Sequence, residues 1–137
     1  MDPSILVAGK SSQNYDLVKR AFAAADINIV RAPTMSLSLF LAQKNLPFLI
    51  IADTDLIDGD ATTFLYGLRN DADLKNVPVV FLTNTAVSSP TKRTLVESGA
   101  TKILSGHQTL EQFQNEIAPF VRLQGKERMP QPDETTE

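Results

Sequence analysis

Five short apolar runs, separated by stretches of helical period, constrain this chain more than any single residue does. They span residues 4–8 (SILVA), 27–30 (INIV), 48–52 (FLIIA), 77–82 (VPVVFL) and 102–104 (KIL). Residues 5–8, 48–52 and 79–82 are continuously apolar rather than alternating, the pattern of strands buried on both faces of a parallel sheet. Pro78 falls at the start of its run, where a missing N–H is tolerated. Between the runs the period changes. Tyr15, Val18, Phe22 and Ala25 predict a first helix, with Ser12 or Asn14 as its cap. A second is predicted over 37–45, capped by Thr34 or Ser36, and a third opens near Asp60 and carries Phe64, Leu65 and Leu68. Ser89 as N-cap, Pro90 at the first helical position and Gly99 past the end mark the fourth. Thr109 and Gln112 form a capping box for the fifth, whose apolar stripe is Leu110, Phe113, Ile117 and Phe120. Pro119 is predicted to kink that helix or end it early.

Strands and helices alternating in this way predict an α/β fold, a doubly wound five-stranded parallel sheet with five helices and right-handed crossovers. The chain's 137 residues are enough for one domain. That domain is predicted over 1–123, because 124–137 (QGKERMPQPDETTE) has no apolar period and reads as a disordered tail or linker. Thirteen basic against sixteen acidic residues give a net charge of −3, so nucleic acid and anionic membranes are not the expected partners. With no cysteine and a single histidine, disulfides and thiolate metal sites are excluded, and a multi-histidine site would need symmetry partners. No apolar run approaches a membrane span, and MDPSILVAGK lacks the basic start of a signal peptide. A soluble, cytoplasmic domain is the expectation.

In a doubly wound sheet, ligands bind beyond the carboxyl ends of the strands. The residues there are Gly9 and Lys10, then Asp53, Thr54 and Asp55, then Thr83 and Asn84, and finally Ser105, Gly106 and His107. No GxGxxG, GxxxxGK[ST] or GxSxG string occurs, so dinucleotide, P-loop and hydrolase chemistry have no support. An enzyme would have to be assembled from Lys10, Asp53, Asp55 and Thr83, so neither catalysis nor a cofactor is expected. Thr83 serves local backbone as readily as a ligand. Asp58 and Asp60 around Gly59 read as turn and cap chemistry rather than a metal site, and His107 as an ordinary loop residue.

Three segments in register carry a family resemblance: DTDLIDGDATTFLYGLRND (53–71), VPVVFLTN (77–84) and SGATKILSGH (98–107). Over 4–123 the chain resembles the receiver domains of bacterial response regulators. The resemblance implies a flavodoxin-like receiver fold with strand order 2-1-3-4-5, Asp53 as candidate phospho-acceptor, and Thr83 as the hydroxyl beside it. It also exposes losses. Receivers place two acidic residues after the first strand to hold Mg²⁺; Gly9 and Lys10 stand there. They place a lysine and a proline after the fifth strand; Gly106 and His107 stand there, and Ile103 occupies the position of the switch aromatic.

Phosphoryl transfer to a carboxylate needs a divalent cation to offset charge. The expectation is therefore a degenerate receiver with no metal, a signalling module that binds a protein partner independently of phosphorylation. The alternatives are a phosphorylatable switch using Asp53, and a small-ligand-binding flavodoxin-like domain. The expected partner is another protein or domain of a signalling system. The candidate face is built from the fourth helix (Lys92, Arg93, Val96), the fifth strand (Thr101, Lys102, Ile103) and the fifth helix (Gln112, Glu116), and could also join two copies. Lys10 is predicted to pair with Asp53, and the Gly106–His107 peptide to be trans, because a cis bond without proline costs about 2.5–4 kcal/mol.

Overall fold

The computed structural model describes residues 3–83, 87–105 and 108–128. In chain order the elements are β1 (Ser4–Ala8), α1 (Ser12–Ala21), β2 (Asn28–Ala32), α2 (Met35–Asn45), β3 (Leu49–Ala52), β4 (Asp55–Leu56), β5 (Gly59–Asp60), α3 (Ala61–Arg69), β6 (Val79–Thr83), α4 (Ser89–Glu97), β7 (Lys102–Ser105) and α5 (Leu110–Arg128). Five strands form one parallel sheet in the order β2-β1-β3-β6-β7. With the β4–β5 hairpin set aside, that is the expected order 2-1-3-4-5. The hairpin itself, Asp55 opposite Asp60 and Leu56 opposite Gly59, was not foreseen.

Continuous apolar runs serve two cores at once, because successive side chains of a strand point to opposite faces. Leu6, Ile50, Val79 and Phe81 pack with Ala42 of α2, Phe64, Leu65 and Leu68 of α3 and Leu95 of α4. Their neighbours Ile5, Val7, Leu49, Ile51 and Val80 pack with Val18 of α1 and Phe113 and Ile117 of α5. Every residue of β1, β3 and β6 is buried. Hence these strands do not alternate.

Several boundaries shift for physical reasons. The first helix is capped by Ser11, whose side chain accepts from the Asn14 N–H, not by Ser12 or Asn14. Ser88 rather than Ser89 caps α4, with Pro90 in its first turn. Thr34 and Asp60 cap α2 and α3. The Thr109–Gln112 box forms with both reciprocal bonds, at 3.0 and 3.1 Å. Pro119 does not end α5, which runs to Arg128; helical backbone thus extends past Leu123, into the segment read as tail. Burial of Phe113 and Ile117 anchors the helix before the proline, and Gln, Lys, Glu and Arg after it are good helix formers. Among the described residues no helix is long and apolar enough to cross a membrane.

Candidate functional site

The register of the central strands builds the site. Ala8 lies opposite Ala52, so the next residues, Gly9 and Asp53, face each other where β1 and β3 end. The Gly9 N–H donates to the Ala32 carbonyl and the Asp53 N–H to the Ala8 carbonyl, both at 2.9 Å. Gly9 has φ +124°, and a Cβ placed on it would sit 2.5 Å from Asp53 Cγ. Glycine is therefore required twice, by backbone conformation and by the approach of the carboxylate.

That carboxylate is held by nitrogen donors. The Ser11 N–H, at the N-cap of α1, donates to Asp53 Oδ2 at 3.2 Å. Asn14 Nδ2 donates to Asp53 Oδ1 and, at 2.8 Å, to the Leu82 carbonyl of β6. Both acceptors lack hydrogens to give, so the amide orientation of Asn14 follows from chemistry. Asn14 is 4% exposed and ties α1, the end of β3 and the end of β6 together. The first turn of α1 carries no acidic residue; the Asp53 carboxylate supplies the anion that a helix N-terminus favours. Thr83 closes β6, is buried, and pairs in register with Ser105.

Lys10 does not pair with Asp53, contrary to expectation. It is exposed, and its carbonyl accepts from Arg31 Nη2 at 3.0 Å. Arg31 in turn lies 5.1 Å from the Tyr15 ring centroid, with Lys19 Nζ at 5.4 Å from the same ring. Two amide donors already occupy the Asp53 oxygens, and an exposed lysine would gain under about 1 kcal/mol by immobilising its stem. Asn84, Gly106 and His107 lie outside the described residues, as does the Gly106–His107 peptide; Asp55 is described in its backbone alone.

The candidate partner face is only partly available. Lys92, Arg93 and Val96 are exposed on α4. Lys102 and Glu116 are joined by an ion pair at 2.7 Å. Thr101 accepts the Val79 N–H through its hydroxyl at 2.9 Å, Gln112 is committed to the capping box, and Ile103 packs against the core. Thr101, Gln112 and Ile103 are thus explained by the fold, because each satisfies a backbone group or buries apolar surface.

Asn14 is the functional-site residue that sequence reasoning missed. Its signal was present as a polar residue at the third position of a helix, but was read as a cap. Beside it a cavity of about 400 Å³ opens between α1 and the start of α5, lined by Asn14, Asp16, Arg20, Leu82 and Thr109 among others.

The Mg²⁺ implied by the receiver resemblance does not fit the described residues. Such a cation takes oxygen ligands, usually carboxylates and waters, whereas here N–H groups point at the Asp53 carboxylate, Gly9 has no room for a Cβ, and Lys10 carries no oxygen ligand in its side chain. Among the described residues no three His, Cys, Asp or Glu side chains stand close enough to share an ion.

No model of a known protein family matches the chain. A curated protein, histidine kinase P4 of Formosa agariphila, is 34% identical over 92 residues, which cover 67% of this chain; the match spans 7% of that protein's length. The chemotaxis response regulator CheY4 of Vibrio cholerae superposes with a TM-score of 0.77 at 21% identity, over 88% of this chain and 99% of that one. A putative response regulator of Chloroflexus aurantiacus gives 0.78 at 20%, over 89% and 99%. The receiver domain of a sensor histidine kinase from Pseudomonas aeruginosa, solved with magnesium in its active-site cleft, gives 0.75 at 14%, over 88% and 98%. By strand order, helix placement and these superpositions, the chain has the fold of the receiver domains of response regulators.

Proposed function

We propose that this chain is a signalling module of receiver type that binds a protein partner without control by phosphorylation, and that it is not an enzyme. The observation that carries the proposal is the hydrogen bonding of Asp53. In the Pseudomonas receiver a magnesium ion occupies the active-site cleft; here the Ser11 N–H and the Asn14 amide meet the Asp53 carboxylate. Gly9 and Lys10 offer no anionic ligand in place of an acidic pair. A helix N-terminus balances a standing carboxylate, but it cannot offset the further charge of an incoming phosphoryl group as a divalent cation does. Asp53 on this reading is a structural anion.

Incubation with Mg²⁺ and acetyl phosphate tests the proposal by intact-mass spectrometry. The expected spectrum shows the unmodified mass alone, and the same partner binding for wild type and Asp53→Asn. A phosphoryl adduct at substantial occupancy, absent from Asp53→Asn, would install the phosphorylatable switch instead.

A further inference from the structure

Helix α2 departs from the pattern of a surface helix, which turns apolar residues inward and polar ones to water. Ser38 and Ala42 are its buried residues. Met35, Leu39 and Leu41 are half-buried against the same core, while the side turned away from it, at the i, i+3, i+7 positions, carries Leu37, Phe40 and Lys44. Leu37 is 39% and Phe40 59% exposed. The patch continues at the N-terminal end of the helix. There Asp58, at the turn of the β4–β5 hairpin, accepts from the Met35 and Ser36 N–H groups and from Ser36 Oγ, the last at 2.6 Å. Its neighbour Ile57 is 58% exposed.

From this arrangement we infer that α2 is a self-association surface, covered by α2 of a second copy running antiparallel. Charge selects that occupant. The stripe carries a cation, Lys44, at its C-terminal end and an anion, Asp58, at its N-terminal end. A two-fold axis between Phe40 and Leu41 sets Lys44 opposite Leu37 of the second copy, about 5 Å along the axis on either side of the centre. Each Lys44 then lies within one turn of Ser36 and Asp58 of the other copy, so both charges meet their opposites twice. A parallel pairing would set Lys44 against Lys44 and Asp58 against Asp58. The same antiparallel arrangement brings Ile57 of each copy beside the C-terminal half of the other's stripe, and opposes the two helix dipoles favourably. A two-fold pairing of identical patches is the commonest way that identical chains associate. The surface lies across the sheet from α1 and α5 and does not involve Asp53, so it stands whether or not Asp53 is phosphorylated.

The test compares two equally exposed apolar residues on different helices, Phe40 at 59% and Val96 of α4 at 57%. Sedimentation equilibrium of the full chain up to about 0.5 mM should show a monomer–dimer equilibrium. Phe40→Ser should raise the dimer dissociation constant at least about tenfold, and Val96→Ser should leave it within about twofold. Far-UV circular dichroism should be unchanged in both. Lys44→Glu, which sets a carboxylate against Asp58 of the other copy, should weaken the dimer by about threefold or more. A chain that remains monomeric throughout overturns the inference. So does a dimer lost with Val96→Ser and kept with Phe40→Ser, which assigns self-association to the α4 side. A dimer indifferent to Lys44→Glu overturns the antiparallel arrangement.

Discussion

At the scale of single residues, the site is shaped by what cannot be added to it. Gly9 looks like a lost ligand when set against receivers, yet the geometry makes it a requirement. Its φ of +124° is one that side-chain-bearing residues rarely adopt, and the space a Cβ would need is filled by Asp53. Gly9→Ala is therefore expected to destabilise the fold by more than the ~1–3 kcal/mol of backbone strain alone. Restoring an acidic residue there by substitution would meet the same obstacle. The steric share can be separated from the backbone share by a double-mutant cycle. In urea unfolding, Gly9→Ala should cost less in an Asp53→Gly background than in wild type, by about 1 kcal/mol or more. Equal costs in the two backgrounds would mean that Asp53 does not fill the space.

At the scale of elements, α4 illustrates how a helix can be well marked in sequence and loosely built in structure. Ser88, Pro90 and Gly99 punctuate it clearly, but Leu95 is its single buried residue. Its position depends on Arg69, at the end of α3. The Arg69 guanidinium donates to the Gly99 carbonyl, just past α4, at 2.7 Å through Nη2 and 3.2 Å through Nε. Through Nη1 it also reaches the carbonyls of Leu74, Lys75 and Val77. Burial lowers its pKa from the ordinary arginine value, and it stays charged nonetheless. A lysine cannot reproduce this planar fork. Arg69→Lys should cost about 2 kcal/mol in urea unfolding and speed amide exchange across 89–97, an outcome that unchanged exchange there would contradict. Arg69 was not legible in the sequence, because its partners are backbone carbonyls that leave no residue signature. What was legible follows from periodicity and capping. The continuous runs of β1, β3 and β6 predict two-faced burial, and the Thr109–Gln112 box predicts the start of α5. Asp53 was placed by its run, since a strand end is local information. Its partners were not, because Ser11 and Asn14 reach it from 42 and 39 residues away, and the hairpin at 55–60 depends on Asp58 finding α2.

At the scale of the whole molecule, three carboxylates, Asp58 and Asp60 exposed and Asp71 half-buried, lace one layer of the structure, and their titration predicts how the protein responds to acid. The Ser36 hydroxyl holds the Asp58 pKa below its ordinary value of 3.8, aided by the Met35 and Ser36 N–H groups. Asp60 is lowered first by the Thr63 N–H that it caps, and Asp71 first by the Gln43 amide, bonded from α2. All three lie on the side of the sheet carrying α2 and α3. A carboxylate whose pKa is lower in the folded than in the unfolded chain stabilises the fold above the unfolded value. It loses that contribution as pH falls through the folded value. These groups therefore leave stability unchanged between about pH 7 and 5, and withdraw it together below 3.8. None is buried, so each effect is small, but they share a layer and act on the same contacts between α2, the hairpin and α3. The melting temperature should fall on acidification below that value. The combined variant Asp58→Asn, Asp60→Asn, Asp71→Asn should start lower at neutral pH and fall less steeply in acid. Amide exchange in acid should quicken first in α2 and α3 rather than in α1 and α5. An acid limb of equal slope in wild type and variant would place the acid sensitivity in other groups. Exchange that quickens first in α1 would place it on the other face of the sheet.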